Sequence, residues 1–165
     1  MEKTALPNQQ EIARIVETYA DMLLRLALNR TQNIAEAEDI VQTIYLRLLR
    51  ANPRFRNASH EKAWLLRTAI NLCKDYQKSA ARRTSVPLDE VTAAELPPET
   101  TEILAVVNQL PQADRYAVYL HYFERMPIGE IARALGEKEG TVSSRLSRAR
   151  KKLKPLLKGE GYESL

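Results

Sequence analysis

Glycine and phenylalanine are scarce in this sequence, five and two among 165 residues, and that scarcity argues against a β-rich fold. Cys73 is the only cysteine, which excludes a disulfide within the chain and suits the reducing cytoplasm. The two histidines, His60 and His121, fall in different expected domains, and one thiol makes no metal cluster. Neither histidine has a nucleophile partner at motif spacing, and no glycine-rich phosphate loop occurs. No catalytic residue, no metal and no cofactor is therefore expected, and the chain reads as a non-enzyme. Glu36, Glu38 and Asp39 hint at a metal site, but acids at a helix start account for them more simply. No segment reaches the roughly 18 consecutive apolar residues of a membrane span. The N-terminal MEKTALPNQQ is polar and lacks a signal-peptide core. The expectation is a soluble cytoplasmic protein without direct membrane insertion.

Leu, Ala, Arg, Glu and Lys dominate, all strong helix formers, and 44% of residues are hydrophobic, enough for packed cores. The net charge of +4 is modest, but its distribution is uneven. Gly140 to Gly159 contains no Asp or Glu, while holding Arg145, Arg148, Arg150, Lys151, Lys152, Lys154 and Lys158. Such an uninterrupted cationic run favours polyanions, although it also describes a solvated helix end.

Apolar steps of three and four predict a helix from about Gln9 to Asn29, on Ile12, Ile15, Val16, Tyr19, Met22, Leu23 and Leu26. A second, about Ala35 to Ala51, carries Ile40, Val41, Ile44, Tyr45, Leu48 and Leu49 as its buried stripe and stops at Asn52-Pro53. After a polar loop from Pro53 to His60, a third runs from about His60 to Ala81 with Ser59 as its N-cap. It is apolar on two sides, leaving one polar stripe: Arg67, Asn71, Lys74 and Lys78, spaced by four, three and four. Periodicity fails between Arg82 and Thr100, where prolines and acids suggest an extended linker. Beyond it come a short helix to Leu110 and a longer one from Pro111 to Glu124. A short helix opened by Met126-Pro127 and ended by Gly136 follows, then a last helix from Thr141 to Lys154. The expected fold class is all-α, two small helical domains (9–83 and 101–158) joined by a flexible linker (84–100).

Short helix, glycine turn and second amphipathic helix make a helix-turn-helix. Ser144, Ser147, Arg148 and Lys151 lie opposite the apolar stripe of the last helix, flanked by Ser143, Arg145 and Lys154. A major groove accepts such a helix, and Thr141 with nearby backbone N–H groups suits a phosphate at the helix start. The plain alternative is a solvated face on a helical hairpin.

Four segments, in order and at matching spacing, now carry a family likeness: AEAEDIVQTIYLRLL (Ala35–Leu49), FRNASHEKAWLLRTAINLCKDYQKSAARR (Phe55–Arg83), LPQADRYAVYLHYFE (Leu110–Glu124) and PIGEIARALGEKEGTVSSRLSRARKKLK (Pro127–Lys154). The chain resembles the extracytoplasmic-function (ECF) sigma factors, sigma-70-type initiation subunits of bacterial RNA polymerase. The resemblance implies a sigma-2 domain that binds the polymerase clamp helices and the −10 promoter element, and a sigma-4 domain that binds the flap and reads the −35 element. It puts the clamp contact on Asp39, Gln42 and Leu46. It puts −10 recognition on Arg56, Asn57 and Ser59 of a loop that takes a flipped base, with Arg54 and Phe55 beside them. The stripe Arg67, Asn71, Lys74 and Lys78 joins that surface, with Arg82 and Arg83 on nearby phosphates. It puts the −35 contact on Thr141, Ser143, Ser144, Arg145, Ser147, Arg148 and Lys151, with Arg145, Arg150 and Lys151 toward phosphates. Two departures stand out: Thr43 replaces a commonly acidic residue, and Ser143 replaces a commonly basic one. Trp64 reads as core or as a strand-separating wedge. The linker reads as an RNA mimic or a plain tether. Implied partners are core RNA polymerase, promoter DNA and an anti-sigma factor. The competing function is a stand-alone helix-turn-helix regulator that binds a palindrome as a homodimer.

Overall fold

The computed structural model describes residues 9–82 and 105–156, without the side chains of 80–82 and 156. The expected linker, 84–100, and Arg83 lie outside the described residues. The chain divides into two compact units, Met1–Thr92 and Ala93–Leu165. Among the described residues every regular element is helical, as the composition implies.

The first unit packs α1 (Gln9–Thr31), α2 (Ile34–Ala51) and α3 (Ala58–Arg82) on one another. Its core is aliphatic: Leu23, Leu26, Ile44, Leu65 and Leu66 are fully enclosed. Each such side chain contributes about 1.5–3 kcal/mol by leaving water. The helix α1 runs two residues past its expected end because Thr31 donates its hydroxyl to the Ala27 carbonyl at 2.9 Å. Gln32 then turns left-handed (φ 53°) and its N–H still reaches the Leu28 carbonyl. Asn33 caps α2, its side chain accepting the Glu36 N–H. Asn52 (φ 40°) closes α2 with its N–H on the Leu48 carbonyl.

Two expectations fail in this unit, and Val41 and Tyr45 of the expected buried stripe are only half-buried. Ser59 does not cap α3; the helix starts at Ala58, and Asn57 accepts the His60 N–H at 2.8 Å on its side chain. An Asn two residues earlier satisfies the orphan donor, so Ser59 falls inside the first turn. Leu49 is not buried but 42% exposed, because Ala37, Ile40, Ile44 and Leu48 already fill the inward face of α2.

The second unit is built from shorter pieces. A turn of helix at 105–107 leads to Leu110, whose N–H bonds the Val107 carbonyl. Next come α4 (Gln112–Val118), α5 (Ile128–Leu135) and α6 (Glu139–Leu156). The expected unbroken helix to Glu124 instead widens into a π turn at Tyr119–Phe123. The wider turn sets the Glu124 N–H on the Tyr119 carbonyl and stacks the rings of Tyr119 and Phe123 at 5.4 Å. Gly136 takes the left-handed conformation expected of it (φ 67°). Its N–H bonds the Arg133 carbonyl and that of Glu137 bonds the Ala132 carbonyl, a Schellman closure. The helix α6 starts two residues before Thr141, which places Thr141 inside its first turn.

Candidate nucleic-acid interface

On α6 the buried residues are Val142, Leu146, Ala149 and Leu153, spaced by four, three and four. That stripe turns Thr141, Ser143, Ser144, Ser147, Arg148 and Lys151 outward, and all six are exposed. Eighteen residues at about 1.5 Å each give a rod of roughly 27 Å. Short hydroxyls and one long guanidinium on such a rod can bond base edges, while Arg150, Lys152 and Lys154 add exposed charge.

Arg145, expected toward a phosphate, is engaged within the unit. Its Nε and Nη2 bond both carboxylate oxygens of Glu137 at 3.0 Å each, and its Nη1 meets Asp114 Oδ1 at 3.2 Å. The hydrogen bonds to Glu137, then the one to Asp114, hold the guanidinium pKa above its usual value. The side chain faces α4 and the turn because two carboxylates there outbid water for it. Asp114 and Glu137 were not singled out from sequence; an acid in a short amphipathic helix carries no mark of the residue it pairs with.

In the first unit Arg67, Asn71, Lys74 and Lys78 are all exposed along α3, so the stripe read from spacing is brought to one surface. Arg82 closes that helix, its side chain outside the described residues. In the preceding loop Arg54, Arg56 and Asn57 are exposed, and Ser59 in the first turn of α3 is half-buried. The Arg56 N–H donates to His60 Nδ1 at 3.2 Å, and Phe55 sets its ring edge-on to His60 (5.5 Å) and to Trp64 (6.0 Å). Trp64 is half-buried under this cluster, between the two roles expected for it. A cleft of about 510 Å³ opens beside the loop, lined by Arg14, Leu48, Arg54, Phe55, Asn57 and Glu61. Arg14 Nη2 lies 2.9 Å from Glu61, a carboxylate only 6% exposed, and 2.6 Å from Glu11. The Arg14 bond lowers the Glu11 pKa, and both acids raise that of Arg14.

On α2, Asp39, Gln42 and Leu46 are exposed at steps of three and four, with Leu46 at 51%. Leu49 extends the same face by three residues. The 3-4-3 spacing from Asp39 to Leu49 was the signal that could have found it. Cys73 lies inside the bundle, where burial pushes its thiol up to about 12, so it is no nucleophile at neutral pH. Among the described residues no cluster of three or more His, Cys, Asp or Glu could hold a metal. No described helix is long and apolar enough to cross a membrane.

Comparison with known proteins bears on both units. The family model described as Sigma-70 region 2 matches residues 15–83, and that of Sigma-70, region 4 matches 100–153. The chain is 30% identical to the ECF RNA polymerase sigma factor SigE of Mycolicibacterium smegmatis, across 99% of this chain and 66% of that protein. It is 33% identical to the ECF RNA polymerase sigma factor SigM of Mycobacterium tuberculosis, over 82% of this chain and 71% of the relative. It is 31% identical to the RNA polymerase sigma-H factor of Pseudomonas aeruginosa, over 96% and 94%. Among solved structures, CnrH in complex with the cytosolic domain of CnrY superposes with a TM-score of 0.73 at 25% identity, covering 93% of this chain and 92% of that one. Sigma factor RpoE in complex with the anti-sigma factor NepR from Bartonella quintana gives 0.73 at 21%, covering 92% and 99%, a likeness of fold.

Proposed function

This chain belongs to the ECF sigma factors of the sigma-70 family, and from that premise we propose that it directs core RNA polymerase to specific promoters in the cytoplasm and initiates DNA-templated transcription there. The protein supplies recognition and the polymerase supplies the bond chemistry. Residues 9–83 act as the sigma-2 domain and 101–158 as the sigma-4 domain, with 84–100 linking them. The observation that carries the reading is the exposed Ser144, Ser147 and Arg148 face of α6, in a chain matched by both sigma-70 regions.

In this reading Ser143, Ser144, Ser147 and Arg148 meet base edges of the −35 element, and Thr141 and Lys151 meet phosphates. Arg67, Asn71, Lys74 and Lys78 follow the −10 strand with Arg82 and Arg83, while Arg56, Asn57 and Ser59 border the site of a flipped base. Flipping costs a few kcal/mol, which stacking and hydrogen bonds in a pocket must offset. Asp39, Gln42, Leu46 and Leu49 form the edge that docks on polymerase. An anti-sigma factor that covered this edge would silence the protein; a structure of the same fold, RpoE, is solved with the anti-sigma factor NepR.

Pull-down with core polymerase followed by run-off transcription on genomic fragments tests the proposal. Binding and start sites are expected; failure to associate with core enzyme overturns it. A symmetric footprint formed without polymerase would favour the homodimeric regulator, a reading that gives the α3 face no role. Arg148→Ala is expected to weaken promoter binding by about 1–3 kcal/mol and to relax one −35 position. Equal weakening on every sequence would make Arg148 a phosphate contact. Asn71→Ala is expected to slow opening more than docking; an unchanged melting rate removes Asn71 from the mechanism.

A further inference from the structure

We infer that Arg145 is a positioning residue for base readout by α6, pinned by Asp114 and Glu137, and that it does not itself bind DNA. The inference rests on the reading of α6 as the promoter-contacting helix.

Three pieces of the second unit meet at this guanidinium. Asp114 comes from α4, its side chain 6% exposed. Glu137 is the residue directly after the Gly136 turn. Arg145 comes from α6 itself. The grip on Glu137 is a two-pronged fork, which fixes direction as well as distance. The apolar stripe under α6 consists of aliphatic side chains, which resist separation but resist rolling of the helix only weakly. The fork supplies the missing restraint. At a side-chain radius of roughly 6 Å, a roll of about 10° moves a group by about 1 Å. That displacement is enough to take Ser144 or Arg148 out of hydrogen-bond reach of a base edge.

Charge argues the same way. One guanidinium sits between two carboxylates, so the cluster carries a net charge of about −1 and repels phosphate. Swinging Arg145 out to DNA would leave Asp114 buried without this partner, at a cost that a screened phosphate contact does not recover.

The experiment uses holoenzyme assembled from the full chain and core polymerase. Genomic fragments enriched by the wild type supply one promoter and its single-base −35 variants as probes. Affinity is measured on each probe across a salt series. For Asp114→Asn and for Arg145→Gln, discrimination between the best and the mismatched −35 is expected to fall about fivefold, with the salt slope unchanged. The double variant is expected to lose no more than either single one. Glu137→Gln, which weakens the two-pronged grip itself, is expected to lose at least as much and decides the matter if the Asp114 variant fails to fold. A shallower slope by about one for Arg145→Gln, with equal loss on all probes, would make Arg145 a phosphate contact and overturn the inference. Full discrimination in folded Asp114→Asn or in Glu137→Gln would overturn it too. If wild-type holoenzyme shows no −35 preference, the promoter reading of α6 fails first, a different result from any variant's.

Discussion

The first unit presents its exposed stripe from a helix of 25 residues lying against two others of 23 and 18. The second presents its face from one 18-residue helix supported by pieces of seven, five and eight. Long helices bury several turns of aliphatic side chain each, so their register follows from the spacing of those side chains. Short ones bury one or two turns, and isolated helices of that length are marginal in water. The second unit accordingly relies on features that act at a point: a π turn, a left-handed glycine and an arginine forked onto the residue after that glycine. The ion pairs express the same contrast. Arg14 in the first unit is 46% exposed and is shared by Glu61 and Glu11, so water can replace much of what it does. Arg145 is 23% exposed, half as much, although each arginine meets one acid that is only 6% exposed.

The widest test of that contrast asks whether the units unfold separately. Leu23→Ala in α1 and Ile131→Ala in α5 each empty a fully buried site, at a cost of about 2–5 kcal/mol. Urea unfolding of the full chain, followed by hydrogen exchange in each unit, is expected to show each variant destabilising its own unit alone. Equal destabilisation of both by either variant would mean that the two fold as one body.

A narrower test compares the two left-handed helix ends. Gly136→Ala places a Cβ at φ 67° and is expected to cost about 1–2 kcal/mol in the second unit. At Asn52 (φ 40°) the same conformation is held by a residue that tolerates it, so Asn52→Gly is expected to change stability by less than about 0.5 kcal/mol. Equal costs in thermal melts would show that the glycine turn is not special to the second unit.

The smallest effect concerns helix starts. Asn33→Ala removes the side-chain acceptor of the Glu36 N–H and is expected to cost about 1 kcal/mol. In the second unit α5 begins at Pro127 without a side-chain cap, so Pro127→Ala is expected to cost less. The reverse order in denaturation midpoints would contradict the idea that the first unit relies on its helix ends being satisfied locally.

Much of the fold was readable from spacing. The inward residues Ile40, Ile44 and Leu48 of α2, and Val142, Leu146, Ala149 and Leu153 of α6, follow the helical period, and Gly136 announces its own turn. The exposed stripe from Arg67 to Lys78 and the face from Ser144 to Lys151 followed by subtraction. Leu49 did not, because period alone cannot say how wide a groove its neighbours leave. The cap at Asn57 was missed because Ser59 is an equally good capping residue, and the choice depends on where the chain leaves the loop. The π turn gives no compositional sign at all.

Sequence by itself determined the helical class, the order of the elements, the two surfaces rich in cations and hydroxyls, and the likeness to sigma-70 regions 2 and 4. These depend on which residues stand three, four or seven apart, and the chain carries that information directly. Tertiary structure decided which members of those surfaces face outward. Arg145 and Arg148 are three residues apart and chemically identical, yet one turns to Asp114 and Glu137 and the other to solvent. Only the folding of α4 and the Gly136 turn against α6 brings two carboxylates within reach of the first guanidinium.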